Sequence, residues 1–355
     1  MKRQMMKGNE AIAEAAVQAG CKYFFGYPIT PQNEIPEYMS ARLPEVGGAF
    51  VQAESEVSAI NMVYGAAGTG ARCMTSSSSP GISLKQEGIS YIAGAELPCV
   101  IVNMVRGGPG LGSIQPAQSD YYQATRGGGH GDYRMPVYAP ASVQEAVELV
   151  QLAFDVADQY RTPAMVLGDG IIGQMMEPVT MPEYKGRELP PKNWAATGWK
   201  EGDARPRAII NSLYIQADEC ENHNKRLQAK YDAIAEKETL VETLMMDDAE
   251  YAVTAYGTTA RIARSAMRKL REQGVRVGLI RPITLWPFPN APIKKAAAHA
   301  KAFLTVEMSM GQMVDDVRLA VNGAKPVTFF GRTGGIVPTV REIMAQVEQL
   351  AKEAE

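Results

Sequence analysis

Residues 27–38, YPITPQNEIPEY, place two prolines and the hydroxyl of Thr30 directly behind a short apolar run. Two readings fit: a rigid turn whose Thr30 caps the next helix, or a stiff loop that offers Pro28, Ile29 and Thr30 to a ligand. In residues 50–60, FVQAESEVSAI, Glu54 stands at a strand-to-helix junction and Glu56 follows two positions on. The helix dipole favours acids there, and a carboxylate set among Ala53, Val57 and Ile60 would also suit acid–base work. Residues 103–120, NMVRGGPGLGSIQPAQSD, set Arg106 beside glycines 107, 108, 110 and 112. A guanidinium is a fork for a carboxylate or phosphate, and bare glycine backbone admits a ligand closely, although a flexible surface loop has the same composition. In TRGGGHGDYR, residues 125–134, His130 is either a neutral-pH proton shuttle or an exposed loop histidine.

Two further patterns point away from chemistry. GDGIIG at 168–173 satisfies G-x-G-x-x-G, but Pro178 and Pro182 fall where a phosphate-binding helix would continue, which argues against a nicotinamide site. The same GDG resembles a metal-binding signature whose closing asparagine would be Asn193 across a proline-broken stretch. Asp169 is therefore read as a decoy, and no metal is assigned to this chain. Cys21, Cys73, Cys99 and Cys220 include no C-x-x-C pair, so they assemble neither a zinc site nor an iron–sulfur cluster.

The elements that must carry these loops follow from alternating periodicities. A helix over 9–20, ending at Gly20, leads into the strand CKYFFGYP, and strand–helix pairs then repeat to PAMVLGD near residue 170. That rhythm predicts a parallel, doubly wound sheet with functional residues in loops behind strand C-terminal ends. Residues 176–247 read as a Pro-rich and then charged, helical connector, helical from Asp218 to Thr243. Residues 1–175 form the first domain, and alternation resumes in a second, smaller domain over 248–355. A length of 355 residues with 46% apolar residues supports two cores, and a formal charge of -3 gives no electrostatic case for nucleic acid or an anionic membrane. The start reads straight into an amphipathic helix and no 18-residue apolar run occurs, so a cytoplasmic location is expected.

Taken in order, YPITP at 27–31, QAE at 52–54, TSSSSPG at 75–81, NMVRGGPGLG at 103–112, LGDGIIGQMMEP at 167–178 and RPITLWPFP at 281–289 resemble the alpha-type subunit of 2-oxoacid:ferredoxin oxidoreductases. The fuller wording is most similar to the 2-ketoisovalerate branch, and the match covers nearly the whole chain. The resemblance implies an α/β protein of two doubly wound domains, a thiamine pyrophosphate pyrimidine-binding-type domain and a transketolase C-terminal-like domain. It further implies CoA-dependent oxidative decarboxylation of a 2-oxoacid with reduction of ferredoxin.

Carried onto this sequence, Glu54 matches the glutamate that hydrogen-bonds the pyrimidine ring nitrogen. Thr30 and Arg106 match positions that orient the oxoacid carboxylate, while Pro28, Ile29, Ser78, Gly107 and Gly108 line the cofactor. The family splits its cofactor between chains, so a beta-type chain is expected to hold the pyrophosphate and Mg2+. A gamma-type chain, a ferredoxin-like delta-type chain carrying [4Fe-4S] clusters, coenzyme A as co-substrate and an external ferredoxin complete the expectation. The rival readings are the same chemistry on pyruvate or 2-oxoglutarate, a non-oxidative thiamine-dependent decarboxylase subunit, and a non-catalytic binding module.

Overall fold

The computed structural model describes residues 3–353, and among them two sheets carry the architecture. The first half runs β1 (Gln4–Lys7), α1 (Gly8–Gln18), β2 (Tyr23–Gly26), α2 (Glu34–Glu45), β3 (Ala49–Gln52), α3 (Glu56–Gly68), β4 (Cys73–Ser77), α4 (Pro80–Gly94), β5 (Cys99–Val105), α5 (Tyr121–Arg126), β6 (Val137–Tyr138), α6 (Val143–Tyr160) and β7 (Pro163–Asp169). A short α7 (Gly170–Gln174) and β8 (Met176–Val179) close it, β8 pairing antiparallel with β1. Strands β4, β5 and β7 are buried at every position, as expected of strands covered by helices on both faces.

The second half begins with the long α8 (Ala217–Lys237) and β9 (Val241–Leu244), then β10 (Tyr251–Thr254), α9 (Gly257–Glu272), β11 (Val277–Pro282), β12 (Thr284–Trp286), α10 (Asn290–Ala297), β13 (Ala302–Glu307), α11 (Met313–Val321), β14 (Val327–Gly331) and α12 (Val340–Glu353). Its sheet has the order β14-β13-β10-β11-β9, parallel except for β9.

Two details depart from the expectation drawn from periodicity. The charged helix ends at Lys237, and Val241–Leu244 is instead an edge strand antiparallel to β11. Its β-branched and apolar residues find an open sheet edge there, and tertiary pairing overrides helical continuation. The chain after β11 does not stay in its own domain: β12 crosses to the first sheet and pairs antiparallel with β6. That sheet has the order β12-β6-β7-β5-β4-β2-β3, and the pairs β3–β2, β2–β4, β4–β5, β5–β7 and β6–β7 are parallel.

Parallel strands bring all their C-terminal ends to one edge. Here the loops behind β2, β3, β4 and β5 therefore emerge together.

Candidate active site

Behind β2 the Thr30 loop is tied down from inside. The Gln32 amide donates to the Ile29 carbonyl (3.1 Å), and the fully buried Gln32 side chain accepts from Ser76 Oγ on β4. Thr30 itself is exposed, and its hydroxyl receives only a long contact from Asn33 Nδ2 (3.4 Å). The capping reading of Thr30 is thus replaced. Asn33 occupies the N-cap of α2 without a side-chain cap, and the Thr30 hydroxyl is left facing out.

Behind β3, Ser55 rather than either acid caps α3, its Oγ accepting from the Ser58 amide (3.2 Å). Glu54 sits one residue before the cap, exposed, with Oε1 receiving the Ser58 hydroxyl (3.1 Å). Glu56, in the first helical turn, points inward and is buried.

Behind β4 the serine run makes a strained turn. Ser79 adopts φ 25°, a region that costs a non-glycine residue of order 1–3 kcal/mol. The conformation is held from β5: the Ser79 amide donates to Asn103 Oδ1 (3.1 Å) and Ser79 Oγ receives the Arg106 amide (3.0 Å). A Cβ at Gly81 would lie 2.1 Å from Ser77 Oγ and 2.8 Å from Glu56 Oε1, so glycine is required where α4 starts. The hydroxyls of Ser77 and Ser78 are buried without a partner.

Behind β5, Arg106 reaches back across the edge. Its Nη1 donates to the Thr30 carbonyl (3.0 Å), its Nη2 to the Leu111 carbonyl (3.1 Å), and its buried Nε has no partner. The glycine loop folds on itself, with the Gly107 amide bonded to the Gln115 carbonyl (2.9 Å) and the Ser113 amide to the Gly107 carbonyl (2.8 Å). Gly112 (φ +56°) has no room for a Cβ, which would lie 1.8 Å from the Gly107 oxygen, whereas the space beside Gly108 is open.

The sheet edge therefore gathers Thr30, Ser78, Arg106 and Gly108, with Glu54 on the loop next to β2. Of these, Glu54 and Thr30 are exposed, while Ser78 Oγ and Arg106 Nε are buried without a partner. Unpartnered polar atoms at such an edge fit a polar ligand. Next to it, a cleft of about 660 Å³ runs between Thr30, Pro31 and Glu34 on one wall and Ile114, Gln115 and Ile171 on the other.

His130 is not part of this group. It is exposed and lines a different cleft with Ser90, Gly94 and His223, at the far end of α4, which puts it on the order of 15 Å along the helix from the serine turn. Asp169 caps α7 by accepting the Ile171 (2.8 Å) and Ile172 (3.2 Å) amides, and burial pushes its carboxyl above the usual range. Among the described residues no group of three or more histidine, cysteine or acidic side chains is placed to hold a metal.

Residues that sequence reasoning passed over include Lys85 and Gln32, both buried at this edge. The available signal was Lys85 falling on the apolar stripe of α4 with Ile82, Ile89 and Ile92.

The thiamine diphosphate-binding model of pyruvate flavodoxin/ferredoxin oxidoreductases matches residues 14–243, and core domain II of pyruvate:ferredoxin oxidoreductase matches residues 249–343. The chain belongs to the 2-oxoacid:ferredoxin oxidoreductase family. The ketoisovalerate oxidoreductase subunit VorB of Methanothermobacter thermautotrophicus is 49% identical over 351 residues, covering 99% of each chain. The 2-oxoglutarate synthase subunit KorA of the same organism is 37% identical over 367 residues, covering 96% of this chain and 97% of the relative.

Among solved structures, 2-oxoglutarate:ferredoxin oxidoreductase from Magnetococcus marinus, with 2-oxoglutarate, coenzyme A and succinyl-CoA bound, superposes with a TM-score of 0.89 at 25% identity. This chain is covered entirely and spans 66% of that longer chain. A split-gene transketolase (TM-score 0.63, 14% identity) shares the fold alone. The protein is thus a subunit of a thiamine-dependent 2-oxoacid:ferredoxin oxidoreductase, an oxidoreductase acting on an oxo group. No described helix of this family member is long and apolar enough to cross a membrane.

Proposed function

We propose that this chain is the alpha-type subunit of a cytoplasmic complex that converts 3-methyl-2-oxobutanoate, coenzyme A and oxidised ferredoxin into isobutyryl-CoA, carbon dioxide and reduced ferredoxin. The observation that carries the reading is Arg106. Two of its nitrogens lock the Thr30 and glycine loops while a third, buried N–H is left free at the same edge as Thr30 and Ser78. The full-length likeness to a ketoisovalerate oxidoreductase subunit supports the branched acid.

In this reading thiamine pyrophosphate, when bound, supplies the carbon nucleophile and the electron sink that decarboxylation needs. Glu54 holds a proton between its carboxyl oxygen and the pyrimidine ring nitrogen, a role for which an exposed carboxylate at a strand end is available. Arg106 and the Thr30 hydroxyl donate to the oxoacid carboxylate and orient it, since a charge-assisted donor on a rigid loop fixes both distance and angle. Pro28, Ile29, Ser78, Gly107 and Gly108 line the cofactor. A beta-type chain holds the pyrophosphate and Mg2+, and gamma-type and ferredoxin-like delta-type chains supply the remaining parts, including the [4Fe-4S] clusters.

The test is turnover by the co-expressed complex with thiamine pyrophosphate, coenzyme A and a low-potential acceptor. The expected order has 3-methyl-2-oxobutanoate ahead of pyruvate and 2-oxoglutarate. Each carbon in an apolar pocket is worth about 1–3 kcal/mol and pyruvate lacks two of them, so the preference over pyruvate should be at least about 10- to 200-fold. A free aldehyde in place of acyl-CoA, or no acceptor reduction with any acid, would overturn the reading.

A further inference from the structure

The fully buried Lys85 takes no part in the chemistry derived above. It lies on α4 beneath the serine turn, and its Nζ donates to Thr75 Oγ1 (2.8 Å) and to the Ser76 carbonyl (3.1 Å). An ammonium has three protons to place and a neutral amine two, so two acceptors on β4 match the neutral form. The charge acting on it is that of Glu56, across on α3; β4 offers it only a hydroxyl and a carbonyl. Burial accordingly pushes the amine down to about 7.

Its acceptors are not ordinary strand residues. Ser76 donates its hydroxyl to Gln32, whose backbone closes the Thr30 loop through its amide to Ile29 (3.1 Å) and its carbonyl from Ile35 (3.0 Å). Three residues further on, Ser79 is bonded to Asn103 and Arg106.

We propose that Lys85 is a positioning residue for the 2-oxoacid site: its amine fixes Thr75 and Ser76 from behind the serine turn, and Ser76 passes that constraint through Gln32 to the loop carrying Thr30. The proposal rests on the reading of the site given above. Both acceptors lie on β4, so removing the amine frees Thr75 and Ser76 together.

The test uses the co-expressed complex as wild type, Lys85→Met and Ser76→Ala, read by hydrogen–deuterium exchange corrected for intrinsic rates between pH 6 and 8.5. Lys85→Met is expected to speed exchange at least threefold in both 27–34 and 75–82. Ser76→Ala should speed exchange in 27–34 alone. Both variants should raise the KM of the oxoacid at least fivefold with kcat within twofold, and both should still copurify thiamine pyrophosphate.

Unchanged exchange and KM in Ser76→Ala, the milder variant, would overturn the proposal even if Lys85→Met failed to assemble. A wild-type complex that oxidises no 2-oxoacid would instead overturn the site reading beneath it, independently of either variant.

Discussion

Glu54, Arg106 and Lys85 illustrate three relations between a side chain and its solvent. Glu54 is exposed and lightly bonded, so replacing it tests chemistry rather than packing. Glu54→Gln in the assembled complex should lower kcat by about 10²-fold or more, the usual worth of a positioned proton carrier, with no change in melting temperature. Arg106→Lys keeps the charge but cannot serve Thr30, Leu111 and a substrate at once. Its kcat/KM should fall about 10- to 100-fold, mostly through KM, in a steady-state titration of the oxoacid. Lys85 gives a sign test in stability. Its folded value, near 7, lies below its ordinary 10.5, so the unfolded chain binds the proton more readily. The penalty is complete below about pH 7 and is relieved as pH climbs toward 10.5. Lys85→Met removes it, so the melting temperature of the variant relative to wild type should be most favourable at pH 7 and decline by pH 10. A difference that rises with pH would contradict the assignment.

At the level of elements, the first turn of α4 is the most demanding piece of backbone in the site. Gly81 touches Ser77 from β4 and Glu56 from α3, so a single methyl group there must push one of them aside. Gly81→Ala should cost about 1–3 kcal/mol in denaturant unfolding and displace the serine turn, lowering cofactor retention in the same preparation. The strand–helix rhythm was legible because inner strands such as Cys99–Val105 and Pro163–Asp169 are apolar runs that alternate with helices of period 3.6. Two edge strands were not. Val241–Leu244 and Thr284–Trp286 are short, and whether such a run becomes helix, coil or strand is settled by which sheet edge lies within reach.

Across the whole molecule, the two sheets are clamped by Arg281 on β11. Its guanidinium bonds Glu145 on α6 of the first half (2.7 and 2.9 Å) and Glu242 on β9 of the second (2.6 Å). The Arg281 side chain is only 6% exposed, so Arg281→Met takes the guanidinium from the partly covered Glu145 and leaves Glu242 with Arg264 alone. The expected loss is about 3 kcal/mol, seen as a lower melting temperature and faster proteolysis at the junction between the halves.

Strand periodicity by itself determined the fold class and the four loops that meet at one sheet edge, because parallel strands deliver successive loops to the same side, and the family came from the resemblance of the motifs in those loops. Only the tertiary structure decided which acid of the Glu54–Glu56 pair faces out, that Thr30 caps nothing, that His130 belongs to another cleft and that Lys85 lies under the serine turn. Those outcomes depend on burial and on partners far away in sequence: Asn103 and Arg106 for Ser79, Ser76 for Gln32, Thr30 for Arg106. Local spacing sets where a side chain leaves the backbone, and long-range packing sets what it meets.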